Sequence, residues 1–363
     1  MTQSPHLVNQ VDTEIAEFLA SREPILASIG DELTSFTNFS RYLLSGGKRF
    51  RARFCIAGWS ATAEAGSRAE DNALVRLSAA LEVFHAAALV HDDIIDKSDT
   101  RRGMPAAHRR FASLHVDGGY VGDPDAFGSA SAILMGDLLL GWSDELVDSA
   151  LDSLSSREAA TLTRAEFNRM RTEVTLGQYL DILEENAWPT VPETDTLARA
   201  ERVMTYKSAK YSVEAPLALG ALLGGATAAQ LDSLRAFGLP LGLAFQLRDD
   251  VLGVFGDTEV TGKPSGDDLR EGKRTVLVAL ARQTMTPDER AHFDGALGNP
   301  ALTGDQIVSL QQIIRSSGAL DRAESTIASY TEEALSALHA ASLQPAAVAE
   351  LHDLARKLTD RTS

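Results

Sequence analysis

The chain is poor in cysteine, with one in 363 residues, poor in aromatics at 6%, and short of cations, with 34 lysines and arginines against 51 acids. The single cysteine, Cys55, excludes an internal disulfide and suits a reducing compartment. Its apolar neighbours read as the surroundings of a buried structural thiol rather than a reactive one. A formal net charge of −17 argues against a nucleic-acid or anionic-membrane partner. No stretch alternates apolar and polar residues as a half-buried strand would, so sheet architectures are not expected. No uninterrupted apolar run reaches membrane-spanning length. The opening MTQSPHLVNQ lacks the basic segment and apolar core of a signal peptide. These absences lead to the expectation of a cytoplasmic protein.

Hydrophobic residues make up 44% of the chain, enough for a substantial core. The pattern is helical almost throughout, with no internal repeat and no linker, which predicts one all-α domain over residues 1–363, with 1–10 as a flexible arm. Helix starts are marked by capping boxes at Ser67 with Glu70, Ser155 with Glu158, and Thr286 with Glu289. Gly118 to Gly128 reads as a surface excursion. The longer polar stretch from Gly253 to Gly272 reads as a lid. From about Leu302 onward the helices are alanine-rich and read as packing or dimer contact.

Two aspartate clusters dominate the chemistry. HDDIID carries Asp92, Asp93 and Asp96; FQLRDD carries Asp249 and Asp250. Carboxylates four residues apart share a helix face. From Leu74 to Val90 nearly every residue is apolar or small, the signature of a central buried helix. Leu239 to Leu247 is similar. Two buried helices ending in aspartates, if they face each other, frame a deep apolar cavity with an anionic mouth. Such hard oxygen ligands suit Mg²⁺ on a diphosphate. The scarce cations gather nearby in sequence: Lys48, Arg49 and Arg51 after Gly46-Gly47, then Arg101-Arg102, Lys207 and Lys210, Lys263, and Lys273-Arg274. Glycines let backbone approach a ligand, and cations can then grip its charge.

The ordered set GGKRFR, FHAAALVHDDIIDKSDTRRG, GDLLL, GQYLD, YKSAKYS and FQLRDDVLGVFGD resembles the trans-isoprenyl diphosphate synthase family. The resemblance runs from about residue 40 to residue 280. It implies an all-α isoprenoid-synthase bundle around a deep central cavity, usually a homodimer. It also implies condensation of isopentenyl diphosphate with an allylic diphosphate, with magnesium, three ions per site, as cofactor. Lys48, Arg51, His85 and Arg102 match positions that hold isopentenyl diphosphate. Asp92, Asp96 and Asp249 match the magnesium ligands. Arg101, Lys207 and Lys263 match cations on the allylic diphosphate, with Ser208 and Gln246 beside it. His91 reads as a structural neighbour of the first cluster. One departure stands out: Gly253 occupies a position where the family commonly has a third aspartate, and Asp257 or Asp268 is expected to supply that charge.

The tail grows alongside the helix that ends at Asp92. Ala87 and Ala88 lie about one turn, roughly 5.4 Å, before it. Short-chain members that stop at farnesyl diphosphate usually carry an aromatic at this level, whereas alanines leave it open. Phe84 is the expected floor, so geranylgeranyl diphosphate is the expected product. Farnesyl or longer polyprenyl products are the alternative. A terpene cyclase would not need GGKRFR, since it binds one diphosphate. A non-catalytic subunit of a heteromeric synthase would lack aspartates or cations that are present here.

Overall fold

The computed structural model describes residues 4–63, 71–101, 103–256, 265–339 and 342–359. Among these, the extended pairing is a two-residue ladder, β1 (Thr100–Arg101) against β2 (Met104–Pro105). The remaining regular structure is helical, in keeping with the all-α expectation. The chain gathers into two compact units, Met1–Arg164 with Leu219–Gly225, and Ala165–Ala218 with Ala226–Ser363.

The first unit holds α1 (Ser4–Ile29), α2 (Thr34–Leu44), α3 (Phe50–Thr62), α4 (Asp71–Ile95), α5 (Ala107–Asp117) and α6 (Pro124–Asp152). α4 is apolar on every side and is therefore the element the others surround, packing on α1, α3 and α6. Leu74, Leu77, Leu81 and Val83 on it are fully buried. The buried Ser143 hydroxyl of α6 donates to the Ala80 carbonyl at 3.0 Å, so the polar atom costs little there. Two sequence expectations change in this unit. The arm expected over residues 1–10 is helical from Ser4, because Leu7, Val8, Val11, Ile15 and Leu19 form a buried stripe at helical spacing. And α4 and α6 are, by length and hydropathy, long and apolar enough to cross a membrane. For α4 the apolar surface goes into the core, with 78% of its most apolar stretch buried.

The second unit takes most of α7 (Arg157–Ala187), then α8 (Thr196–Val203), which runs unbroken through a π-helical stretch, Met204–Glu214, into α9 (Ala215–Leu223), whose residues from Leu219 onward belong to the first unit. α10 (Ala228–Phe255) follows, then α11 (Asp267–Glu271), α12 (Val276–Arg282), α13 (Pro287–Ala296), α14 (Gly304–Ser316), α15 (Ala319–His339) and α16 (Pro345–Thr359). Val251, Val254, Leu269, Leu277, Phe293, Leu310, Ile314 and Ile327 join in its core, which gives the C-terminal helices their packing role.

The capping box at Thr286 and Glu289 is present, and Thr227 with Gln230 and Thr303 with Gln306 make two more. At α7 the cap is Ser156, not Ser155: its hydroxyl accepts from the Ala159 N–H at 3.2 Å. Ser67 and Glu70 lie outside the described residues. The excursion expected from Gly118 to Gly128 is shorter, because Pro124 opens α6 with Asp123 as its cap. The lid expected from Gly253 is likewise shorter: α10 continues to Phe255, and α11 is helical. Residues 257–264 lie outside the described set.

Candidate active site

In the first unit the site begins where burial on α4 gives way. Leu77 to Phe84 are all buried, whereas His85, Ala88, Asp92 and Asp96 are half-buried. Their spacing of three, four and four residues puts them on one face. Ala87, next to that face, is fully buried. α4 ends in a left-handed residue, Lys97 (φ 54), with the Ser98 N–H donating to the Asp93 carbonyl at 2.9 Å and the Lys97 N–H to the Ile94 carbonyl at 3.3 Å. This six-to-one and five-to-two pairing stops the helix at its acids. Carboxylates there meet the negative end of the helix dipole, so the arrangement demands cations.

One such cation is in place. Arg101, on β1, donates from Nε to Asp93 Oδ1 at 2.8 Å, makes a second contact to the same oxygen, and reaches Asp92 Oδ2 at 3.3 Å. The family resemblance assigns Arg101 to the allylic diphosphate and gives Asp93 no role. The structure makes Asp93, buried at the centre of the motif, the carboxylate that holds Arg101 beside Asp92. His91 packs on α6, its Nε2 3.4 Å from Asp137 and 3.3 Å from the Ile133 carbonyl. A Cβ on Gly136 would lie 2.2 Å from that ring nitrogen. The GDLLL motif thus supplies a gap and an acid for His91. Lys48 is exposed on the turn before α3 and Arg51 is half-buried in the first turn of α3. Arg102 lies outside the described residues.

In the second unit Gln246, Asp249 and Gly253 share a half-buried face of α10 at spacings of three and four. The π-helical stretch carrying Lys207 and Ser208 lies close against α10, since a Cβ on Gly242 would lie 2.4 Å from the Ala209 carbonyl oxygen. π-helical turns recur at functional sites. The GQYLD motif serves the same segment. A Cβ on Gly177 would lie 2.4 Å from the Lys207 nitrogen, and Asp181, one turn on, accepts from Lys207 Nζ. Lys210 pairs with Glu173 at 3.0 Å. Asp181, the partner of Lys207, lies within a motif quoted above but was not singled out there.

Gln246 Nε2 donates to Asp250 Oδ1 at 2.8 Å. Asp250 is buried, and its carboxyl is pushed up to about 8, first by burial and then by neighbouring Asp268 and Asp249, while the Gln246 hydrogen bond and Lys273 oppose the rise. At Gly253, where the family commonly has an aspartate, a Cβ would lie 2.0 Å from Asp268 Oδ2. The Asp268 carboxylate fills the space that a side chain at 253 would take. Lys273 lies 3.9 Å from it and pairs with Glu271 at 2.7 Å. Asp257 and Lys263 lie outside the described residues.

The donor set is carboxylate oxygen throughout, which fits magnesium and does not fit soft metals. Among the described residues no three His, Cys, Asp or Glu side chains are gathered to hold an ion by themselves. Magnesium needs no such cage, because it keeps waters and binds through one or two carboxylates together with substrate phosphates.

Comparison with known proteins agrees with this chemistry. Residues 34–314 match the polyprenyl synthetase family model. The fold is similar to that of a geranylgeranyl pyrophosphate synthase from Corynebacterium glutamicum, solved with isoprenyl diphosphate and magnesium, at TM-score 0.90 and 37% identity over 99% of each chain. A geranylfarnesyl diphosphate synthase from Aeropyrum pernix is 33% identical over 87% of this chain and 89% of its own. A geranylgeranyl diphosphate synthase from Sulfolobus acidocaldarius is 31% identical over 93% and 90%. The acids that close α4 around Arg101, the acids on the half-buried face of α10, and a family match over most of the length lead to one conclusion: the chain belongs to the polyprenyl synthetase family and is a chain-elongating prenyltransferase.

Proposed function

We propose that this enzyme condenses isopentenyl diphosphate with dimethylallyl, geranyl and farnesyl diphosphates and releases mainly geranylgeranyl diphosphate. The observation that carries the reading is the half-open face of α4, on which Asp92 lies one turn beyond Ala88 and two beyond His85, with Asp96 a further turn on. Asp92, Asp96 and Asp249 would hold three magnesium ions against the allylic diphosphate. When bound, magnesium neutralises the charge that develops on a departing diphosphate. Arg101, Lys207 and Lys263 grip the same group, with Ser208 and Gln246 beside it, and lower the barrier to breaking the allylic C–O bond. Lys48, Arg51, His85 and Arg102 hold isopentenyl diphosphate so that its double bond meets the allylic carbon. Apolar walls keep water from the cationic prenyl fragment. The released diphosphate is the base that takes the final proton.

Alanines at 87 and 88 leave room for a tail beyond fifteen carbons, and Phe84, buried one turn further, is the floor. A longer product is the second reading, favoured by the resemblance to the Aeropyrum pernix geranylfarnesyl enzyme. α6 leaves Ile133 (45%) and Leu134 (61%) exposed, apolar surface that a second copy would cover in a homodimer. A cytoplasmic location is part of this proposal, supported by the lone cysteine, which suits a reducing compartment. Incubating purified protein with labelled isopentenyl diphosphate, Mg²⁺ and each primer, then sizing the dephosphorylated prenols, tests the reading. A dominant C20 prenol supports it. Absence of incorporation overturns the activity, and a dominant C15 or C25 prenol overturns the product length.

A further inference from the structure

Glu82 is an acid in the middle of the buried run of α4, 6% exposed, and none of the roles assigned above uses it. A carboxylate in such a place persists only with partners. It has two. Oε1 accepts from the Ala52 N–H at 3.0 Å, and Oε2 lies 3.5 Å from the Arg49 guanidinium. Ala52 is the third residue of α3, whose own N-cap residue, Arg49, makes no side-chain cap. A carboxylate from α4 therefore satisfies one of the orphan N–H groups at the positive end of α3.

Arg49 is as tightly engaged. Its side chain is 9% exposed; Nε donates to Asp12 Oδ1 of α1 at 2.8 Å and a terminal nitrogen donates to the Leu44 carbonyl at 2.5 Å. Its backbone is left-handed (φ 51), one of two such non-glycine residues described, and follows Gly46 (φ 66) and Gly47 (φ 92). A bulky residue holds that conformation only when its surroundings fix it. The Lys48 carbonyl is fixed as well, accepting from Arg53 Nε at 3.0 Å. Lys48 and Arg51 thus leave the chain on either side of an anchored residue. His85 lies three residues beyond Glu82 on α4, a neighbour on the same helix surface.

We infer that Arg49 and Glu82 are a positioning pair that fixes Lys48 and Arg51 relative to His85, and so sets affinity for isopentenyl diphosphate while touching neither substrate. This rests on the assignment of Lys48, Arg51 and His85 to that substrate. Full-length Arg49→Lys, Glu82→Gln, their double variant and Asp12→Asn are compared with the parent in three measurements. These are calorimetric titration of isopentenyl diphosphate into metal-free protein, steady-state KM and kcat for each substrate, and thermal melting. Misplacing a binding group by a fraction of an ångström should raise the isopentenyl diphosphate Kd and KM about tenfold in each buried-pair variant. The allylic KM and kcat should stay within about twofold, and the double variant should be no worse than the worse single, as for residues acting as one unit. Asp12→Asn, which breaks only the half-exposed leg, should give about a threefold rise by the same logic. It decides the matter if a buried variant does not fold. An unchanged isopentenyl diphosphate Kd, or equal rises in both KM values tracking lost melting temperature, overturns the inference. Parent protein that fails to bind isopentenyl diphosphate overturns the functional reading instead.

Discussion

Restoring the aspartate that the family commonly carries at position 253 should harm this protein rather than help it. The added Cβ would fall 2.0 Å from Asp268 Oδ2 and 2.4 Å from its Cγ, so Asp268 must move. Overpacking of this kind costs about 1–3 kcal/mol. Gly253→Ala offsets that with about 1 kcal/mol of helix propensity and should come out between neutral and 2 kcal/mol destabilised. Gly253→Asp also brings a further carboxylate against Asp268, near Asp249 and Asp250. At about 4 Å and an effective dielectric near 20, one like-charge pair is worth up to about 4 kcal/mol. The expected loss is therefore about 3–6 kcal/mol without metal, a fall of roughly 4–8 °C in melting temperature for a chain of this size. Melting followed by circular dichroism in EDTA is the assay. The double variant Gly253→Asp/Asp268→Gly returns the space and the charge and should recover most of the loss. Gly253→Asp melting at the parental temperature in EDTA, or a double variant no better than the single, would refute the reasoning.

Other outcomes follow from the same geometry. Ala88→Phe, on the half-open face of α4, should shorten the main prenol by five carbons. Ala87→Phe should do the same with about 1–3 kcal/mol of stability lost, since residue 87 is fully buried. Phe84→Ala should lengthen it at a cost of about 3–5 kcal/mol, and an identical prenol ladder in all three would remove the floor. Asp92→Asn or Asp249→Asn should lower kcat about 10²–10³-fold, the scale of removing one electrostatic contributor to the transition state; steady-state rates at saturating Mg²⁺ decide it. Burial pushes the Cys55 thiol up to about 12, against a smaller lowering by its hydrogen bond with Ser78. Ellman's reagent at pH 8 should therefore label unfolded but not folded protein. The raised value means the folded thiol keeps its proton through the window from pH 9 to about 12, where the unfolded one loses it. Its contribution to stability is whole below pH 9 and is lost as pH rises through that window, so Cys55→Ala should differ least from the parent at the alkaline end of a denaturation series.

Helical class, the central place of α4 and the sets of acids and cations were legible because each has a short-range signature: apolar residues on all sides, carboxylates four apart, glycine beside charge. Pairings that depend on which helix lies next to which were not legible. Nothing local in HDDIID says that Asp93 turns inward to hold Arg101 while Asp92 and Asp96 remain on the half-open face. GQYLD and GDLLL could be read as motifs, but that Gly177 makes room for the Lys207 backbone and Gly136 for the His91 ring is tertiary information. Gly253 looked like a gap in the acidic motif, and only the approach of α11 shows Asp268 in that space. The N-terminal arm was misread because a polar opening hid a stripe of five apolar residues spread over three turns.

The central claim is that acids from both clusters engage the metal on an allylic diphosphate. Crystals grown with Mn²⁺ and a non-hydrolysable allylic diphosphate analogue test it through the anomalous signal of manganese. Peaks within coordination distance of Asp92, Asp96 and Asp249, all on one diphosphate, are the result expected. Manganese absent from either cluster, with the analogue bound, would contradict it.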